Sequence, residues 1–131
     1  MSRPLRHVIT YGTFDMFHVG HLRLLMRARE LGTSLTVGVS TDAFNAIKGK
    51  TSHYTFAERA EHVAQARCVD SVLPEHGWDQ KHEDIERLGI SILVMGSDWQ
   101  GEFDHLADLC EVVYLPRTAG VSSTIIRGFD P

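Results

Sequence analysis

Residues 7–32 read "HVITYGTFDMFHVGHLRLLMRARELG", and this stretch shows how the chain is put together. A β-branched run over 7–11 has the make-up of a buried strand. The polar turn "GTFD" follows, and from Val19 the spacing of Leu22, Leu25 and Met26 marks one face of a helix. Gly32 is its stop. A strand, a short turn and a helix form one βα unit.

The same unit recurs along the chain. Further strands are expected over 35–39 ("LTVGV"), 69–73 ("VDSVL"), 91–95 ("SILVM") and 111–115 ("EVVYL"), alternating with helical patterns. A second helix starts at Asp42, a third runs from the Thr55–Glu58 capping box to about Arg67, and a fourth covers 80–88 before Gly89. "EFDHLADL" is expected as a short fifth helix. Alternation of this kind predicts a single α/β domain over residues 1–131, a Rossmann-like doubly wound parallel sheet with helices on both faces. If the strand order is 3-2-1-4-5, the segments "GTFD", "GSDW" and "PRTAGVSST" all follow strand ends and converge on one cleft, where such sheets bind ligands.

Composition narrows the function. The chain has 131 residues and a formal charge of −4, with 43% hydrophobic and 23% charged residues. A chain of that size buries about two-thirds of its unfolded surface without disulfides. The acidic balance argues against a nucleic-acid partner. No apolar run reaches a membrane span, and "MSRPLRH" lacks a signal core, so a cytoplasmic protein is expected. Cys68 and Cys110 stand apart from any CxxC pair and read as buried free thiols. Ten arginines accompany only three lysines, Lys48, Lys50 and Lys81, and two of these share one loop. That loop is a candidate anion site; ordinary solvated lysines are the alternative.

Neither a GxxxxGK[ST] loop nor a GxGxxG turn is present, so any phosphate must be held otherwise. The first helix offers its unpaired N–H groups and positive dipole end, with Gly20 allowing close approach. His18 and His21 lie side by side at that helix start and could donate to one anion. A metal pair and plain polar helix-start residues are the competing readings. "RTAGVSST" is a second anion pattern, or an N-capped helix. Arg59 either reaches the site or pairs with Glu58 or Glu61. Asp98 either accepts from a cytosine amino group or caps the following segment. Asp15 and Asp42 are candidates for metal or acceptor hydroxyls, and no pattern decides between them.

Together "GTFDMFHVGH" and "RTAGVSST" resemble the HxGH nucleotidyltransferases. "ITYGTFD", "MGSDW" and "CEVVYLPRTAGVSST" resemble the bacterial glycerol-3-phosphate cytidylyltransferases more narrowly. The likeness runs over about residues 8–125. Ser97 departs from it, preceding Asp98 where a second acidic residue is usual, and the last helical stretch, "IIRGFDP", is short.

The resemblance implies transfer of CMP from CTP to glycerol 3-phosphate, giving CDP-glycerol and pyrophosphate, with Mg2+ carried mainly by the triphosphate and no assigned metal ligands on the protein. It implies a homodimer and a place in teichoic acid synthesis. His18, His21, Lys48 and Arg117 would be catalytic. Thr13, Phe14, His18, Gly20, His21, Lys50, Asp98 and the run Arg117, Thr118, Ala119, Gly120, Val121, Ser122, Ser123 and Thr124 would bind the nucleotide. Lys48, Lys81 and Asp42 would bind the acceptor.

Rival readings keep the chemistry and change a substrate, as in an adenylyltransferase acting on a flavin or pantetheine phosphate. A choline phosphate acceptor would want an aromatic cage, for which Tyr54, Trp78 and Trp99 look too scattered. A catalytically silent nucleotide-binding module is the rival from another class.

Overall fold

The computed structural model of the chain describes residues 4–116. Five strands, β1 (His7–Gly12), β2 (Ser34–Ser40), β3 (Ser71–Glu75), β4 (Ile90–Gly96) and β5 (Glu111–Leu115), form one sheet. Their order is β3-β2-β1-β4-β5, and every pairing is parallel. Among the described residues four helices, α1 (Val19–Glu30), α2 (Asp42–Ile47), α3 (Phe56–Ala64) and α4 (Gln80–Leu88), make the first three connections, and β4 passes to β5 through 3-10 turns. β1 and β4 are the two strands between which the order reverses, so their carboxyl ends open the cleft.

Strand residues point alternately to the two faces, and each face has its own core. Val8, Leu35, Val37, Val39 and Val94 pack with Leu25 and Ala28 of α1 and Val63 of α3. On the other face Ile9, Tyr11, Leu93 and Met95 pack with Ile85 of α4, Phe103 and Leu106. Gly38 makes room on that second face, because a Cβ there would run into the Tyr11 ring.

The expected elements are present, with four corrections. Met26 is 48% exposed, and Ala28 takes the place expected for it beside Leu25. α3 stops at Ala64, three residues short of Arg67, with Gln65 closing it. β3 starts two residues late because Asp70 is engaged with β2 outside the ladder: its N–H donates to Leu35 O at 2.8 Å and its carboxylate accepts Leu35 N–H at 2.7 Å. Pro74 fits within β3 because this is an edge strand. "EFDHLADL" shrinks to a single 3-10 turn, Asp104–Leu106. There the Tyr114 hydroxyl accepts from Phe103 N–H and donates to Asp104, both at 2.9 Å, while Phe103 and Leu106 are drawn into the core.

Cys68 and Cys110 are free, and both are half-buried at the margins of the cores, not inside them. Burial pushes both thiols up from their ordinary pKa. Among the described residues no helix is long and apolar enough to cross a membrane.

Candidate active site

The turn leaving β1 carries two non-glycine residues in the left-handed region, Phe14 at φ 53° and Met16 at φ 50°. Such conformations cost about 1–3 kcal/mol each and persist where the surroundings over-determine them. Two anchors do so here. The Phe14 side chain is 5% exposed and belongs to the core. The Asp15 carboxylate accepts His53 N–H at 2.7 Å and Tyr54 N–H at 3.0 Å, tying the turn to the loop before α3. Phe14 can therefore offer a nucleotide its backbone, but its ring is taken.

The turn delivers His18 and His21 to the start of α1. His18 is the N-cap: its Nδ1 accepts Gly20 N–H at 3.0 Å, and its own N–H donates to His21 Nδ1 at 3.2 Å. This is a capping box made of two histidines. Backbone N–H groups can only donate, so both Nδ1 atoms must be unprotonated, and each neutral ring keeps its proton on Nε2. The rings stack with centroids 3.8 Å apart and planes 22° apart. Phe14 meets His21 edge-on at 5.5 Å and Phe17 stacks on it at 5.6 Å. Burial between these rings, reinforced by His18, lowers the His21 pKa to about 4, so this imidazole is neutral at pH 7.

Opposite stands a polar cluster built on the ends of β2 and β3. Lys48, the C-cap of α2, donates to Ser40 Oγ at 2.8 Å and lies 3.5 Å from Thr13 Oγ1, with its ammonium 4.7 Å from the Phe44 ring centre. Thr13 donates to Asn45 Oδ1 at 3.0 Å, and Asn45 donates to Ser52 Oγ at 2.6 Å. Lys48 is half-buried, and chiefly for that reason its pKa falls to about 8. Lys50 is exposed beyond Gly49, whose φ of 74° turns the chain between the two lysines.

Lys81 is not a free ammonium group waiting in the cleft. It is 3% exposed, its Nζ donates to Glu75 Oε2 at 2.7 Å, and it sits 4.5 Å from the Tyr11 ring centre and 4.8 Å from that of Phe103. Trp78 and Trp99, which look scattered in the sequence, are neighbours with ring centres 5.9 Å apart, and Trp99 adjoins Phe103 at 5.7 Å. With Lys81 and Phe103 they line a cleft of about 610 Å3. Tyr11, Phe103 and, at 6.0 Å, Trp78 gather round the Lys81 ammonium, while Tyr54 lies apart against His53 and His62.

Asp42, expected to bind the acceptor, is exposed and already has two partners within the protein. Its carboxylate accepts Phe56 N–H at 3.1 Å and the Arg59 guanidinium at 2.8 Å, and these two bonds hold its pKa below the usual range. Arg59 pairs with neither Glu58 nor Glu61. Fully buried, it donates to the carbonyls of Thr13 (2.9 Å), Ser40 (2.8 Å) and Tyr54 (3.0 Å), bolting together three segments of the site. Asp98 is exposed on a 3-10 turn, Ser97–Trp99, just past β4. Arg117, Thr118, Ala119, Gly120, Val121, Ser122, Ser123 and Thr124 lie outside the described residues. Sequence reasoning missed Ser40, Asn45 and Glu75, whose partners are distant in the chain and which carry no local pattern.

The cytidylyltransferase-like family matches residues 9–129. A glycerol-3-phosphate cytidylyltransferase of Staphylococcus aureus is 52% identical over 123 residues, covering 94% of this chain and 93% of the relative. The enzyme of that name from Bacillus subtilis is 50% identical, covering 94% and 95%. The chain belongs to the glycerol-3-phosphate cytidylyltransferase family. Its fold extends beyond that family: a lipopolysaccharide core biosynthesis protein of Thermoplasma volcanium superposes with a TM-score of 0.75 at 21% identity, over 88% of this chain and 99% of that one.

Proposed function

We infer that the protein transfers CMP from CTP to glycerol 3-phosphate, releasing pyrophosphate and forming CDP-glycerol. The observation that carries this reading is the pair of stacked imidazoles at a helix N-terminus, with His21 neutral at pH 7, in a chain half identical to two glycerol-3-phosphate cytidylyltransferases. A phosphate oxygen of the acceptor attacks the α-phosphorus, and the bond from that phosphorus to the bridging oxygen of pyrophosphate breaks. The acceptor needs no general base, because its second pKa is about 6 and it arrives largely as a dianion. What the protein supplies is alignment and donors to the charge on the transferring group. Neutral Nε2–H donors suit this, since they are in place before the charge grows and lose no proton to solvent at pH 7.

Lys48 and Lys81 then serve the acceptor side, Lys50 and Asp98 the nucleotide, with Arg117–Thr124 on its phosphates and sugar. Among the described residues no group of three or more His, Cys, Asp or Glu side chains could hold a metal. Mg2+ would be carried mainly by the triphosphate, an ion that commonly binds through substrate phosphates and water with few protein carboxylates. A homodimer, a cytoplasmic setting and supply of a teichoic acid pathway belong to the same proposal.

A choline-type acceptor is disfavoured by one specific feature. The aromatic box that would take a quaternary ammonium already surrounds Lys81. Pyrophosphate release measured with each of the four NTPs, and with glycerol 3-phosphate against choline phosphate, tests both substrates. CTP with glycerol 3-phosphate should be the productive pair. A preference for ATP would overturn the cytidylyl assignment and leave the reaction class.

A further inference from the structure

β3 ends on Glu75, a carboxylate only 2% exposed that bridges the two lysines assigned to the acceptor. Oε2 accepts from Lys81 Nζ at 2.7 Å. Oε1 accepts from Ser40 Oγ at 3.0 Å, and Ser40 Oγ in turn accepts from Lys48 Nζ at 2.8 Å. A hydroxyl has one proton, and Ser40 Oγ faces two acceptors, Glu75 Oε1 at 3.0 Å and Gly12 O at 3.3 Å; with the proton on the shorter, charge-assisted contact the chain runs from Lys48 through Ser40 to Glu75, and Lys81 donates to Glu75 from the far side.

The two lysines are consequently unlike. Lys81 has a carboxylate of its own. Lys48 touches only neutral acceptors, Ser40 and Thr13, and the face of Phe44. Of the charged groups facing it, Lys50 beyond α2, Lys81 on α4 and Arg59 on α3 all repel its proton, and Glu75 on β3 is the attractive one. An ammonium held by neutral oxygens keeps its charge available for a ligand, whereas one already in an ion pair has spent most of it. Glu75, one hydroxyl away, is close enough to favour the protonated lysine and too far to neutralise it.

We propose that Glu75 is a positioning residue for the transfer: through Ser40 it keeps Lys48 charged and aimed, and directly it anchors Lys81, so that the acceptor phosphate meets one free and one committed ammonium group. This rests on the acceptor reading given above. It adds a residue that touches no substrate and acts through Ser40 and the two lysines.

The chain has only three lysines, so 13Cε-lysine NMR resolves each ammonium group, assigned by single Lys→Arg variants. In ligand-free protein Lys48 should titrate with a midpoint near pH 8. In Glu75→Gln the midpoint should fall by about one pH unit, the usual lower size of a near-charge effect. The loss of attraction from Glu75 outweighs any relief of repulsion from Lys81, since Glu75 is the larger influence.

Initial rates should show the KM for glycerol 3-phosphate rising about fivefold at pH 8, where the charged fraction of Lys48 falls from about a half to about a tenth, with the KM for CTP little changed and the defect shrinking towards pH 6.5. Ser40→Ala keeps the Glu75–Lys81 pair and breaks the path to Lys48. It should reproduce the KM defect with Lys81 unmoved, and it decides the matter if Glu75→Gln does not fold.

An unchanged Lys48 midpoint in Glu75→Gln overturns the proposal. So does a defect shared equally by both substrates at every pH, which is what a merely structural lesion gives. If the acceptor reading is what fails, the wild type will not turn over glycerol 3-phosphate while the NMR midpoint still moves.

Discussion

The histidine pair at the start of α1 and the lysine cluster at the ends of β2 and β3 are held in opposite ways. His18 and His21 are fixed by bonds spanning two and three residues, to Gly20 N–H and His18 N–H at the start of their own helix. Lys48 and Lys81 are fixed by a carboxylate and a hydroxyl on two other strands, through bonds such as Ser40 to Glu75 across 35 residues of chain. A local device survives many changes elsewhere, because the helix that needs the cap is also what positions the donors. A tertiary device depends on every member at once, since a buried charge that loses its partner is worse than no charge at all.

The largest break in this comparison should come from Lys81→Met. It leaves the Glu75 carboxylate, 2% exposed, without its ammonium partner, and losses of that kind run to about 3–5 kcal/mol. Denaturant unfolding should show that loss, and the double variant Lys81→Met/Glu75→Gln should recover part of it. If Lys81→Met unfolds at the wild-type midpoint, the pair is not the structural unit described here.

His21→Ala breaks the other side, and its cost should fall on rate. A donor aimed at developing charge is worth about 10² to 10³ in turnover. CTP affinity by calorimetry should change by a few-fold at most. Equal losses in rate and affinity would make His21 a ground-state ligand.

The same division decides what the sequence discloses. The βα rhythm was legible because each unit announces itself within about ten residues, whereas the strand order, which no local signal carries, was a supposition that the sheet bears out. The capping box at Thr55–Glu58 and the αL stop at Gly89 were legible for the same reason, as both are local. His18 and His21 could be paired from spacing alone, though their role as each other's cap could not. Lys81 was placed on the right helix and given the wrong freedom, because its partner Glu75 has no motif and comes close only through a β3–α4 turn. Arg59 was weighed against its near neighbours Glu58 and Glu61 and Asp42 against metal or acceptor hydroxyls, and the two found one another across 17 residues. "EFDHLADL" has helical spacing, but Tyr114, on the last strand, claims its backbone. The errors collect wherever a long-range polar bond overrides a local preference.

A pH titration sharpens the local side. His21 has a pKa of about 4 when folded, against 6.5 for the unperturbed side chain. Between these values the unfolded chain takes up a proton that the folded chain refuses, so falling pH favours unfolding across pH 6.5 to 4. Above pH 6.5 the ring is neutral in both states and contributes no slope. His21→Gln keeps an acceptor for the His18 N–H and removes the titration. The difference in stability between wild type and variant should therefore shift in favour of the variant as pH drops through that window, read by thermal melts at half-unit steps. A constant difference would mean that His21 is not desolvated by Phe14 and Phe17.

Lys50→Ala should have the smallest effect, and it tests whether the two kinds of support exhaust the site. Lys50 belongs to neither: its side chain is exposed, and its position depends on the Gly49 turn and on its own N–H donating to Asn45 O at 2.8 Å. The substitution removes no buried partner and creates no cavity, so stability should stay within about 0.5 kcal/mol of wild type. An exposed ammonium meeting a phosphate sits at the low end of the 1.5–3 kcal/mol range for charged hydrogen bonds, which gives about a tenfold rise in KM. If Lys50 serves the triphosphate, that rise appears for CTP and spares glycerol 3-phosphate. The opposite split from Glu75→Gln would show that two lysines separated by a single glycine answer to different substrates, because only Lys48 is wired to the carboxylate beneath the sheet's edge. A rise shared by both substrates would make the loop a common cover, and the separate assignment of Lys48 and Lys50 would fall.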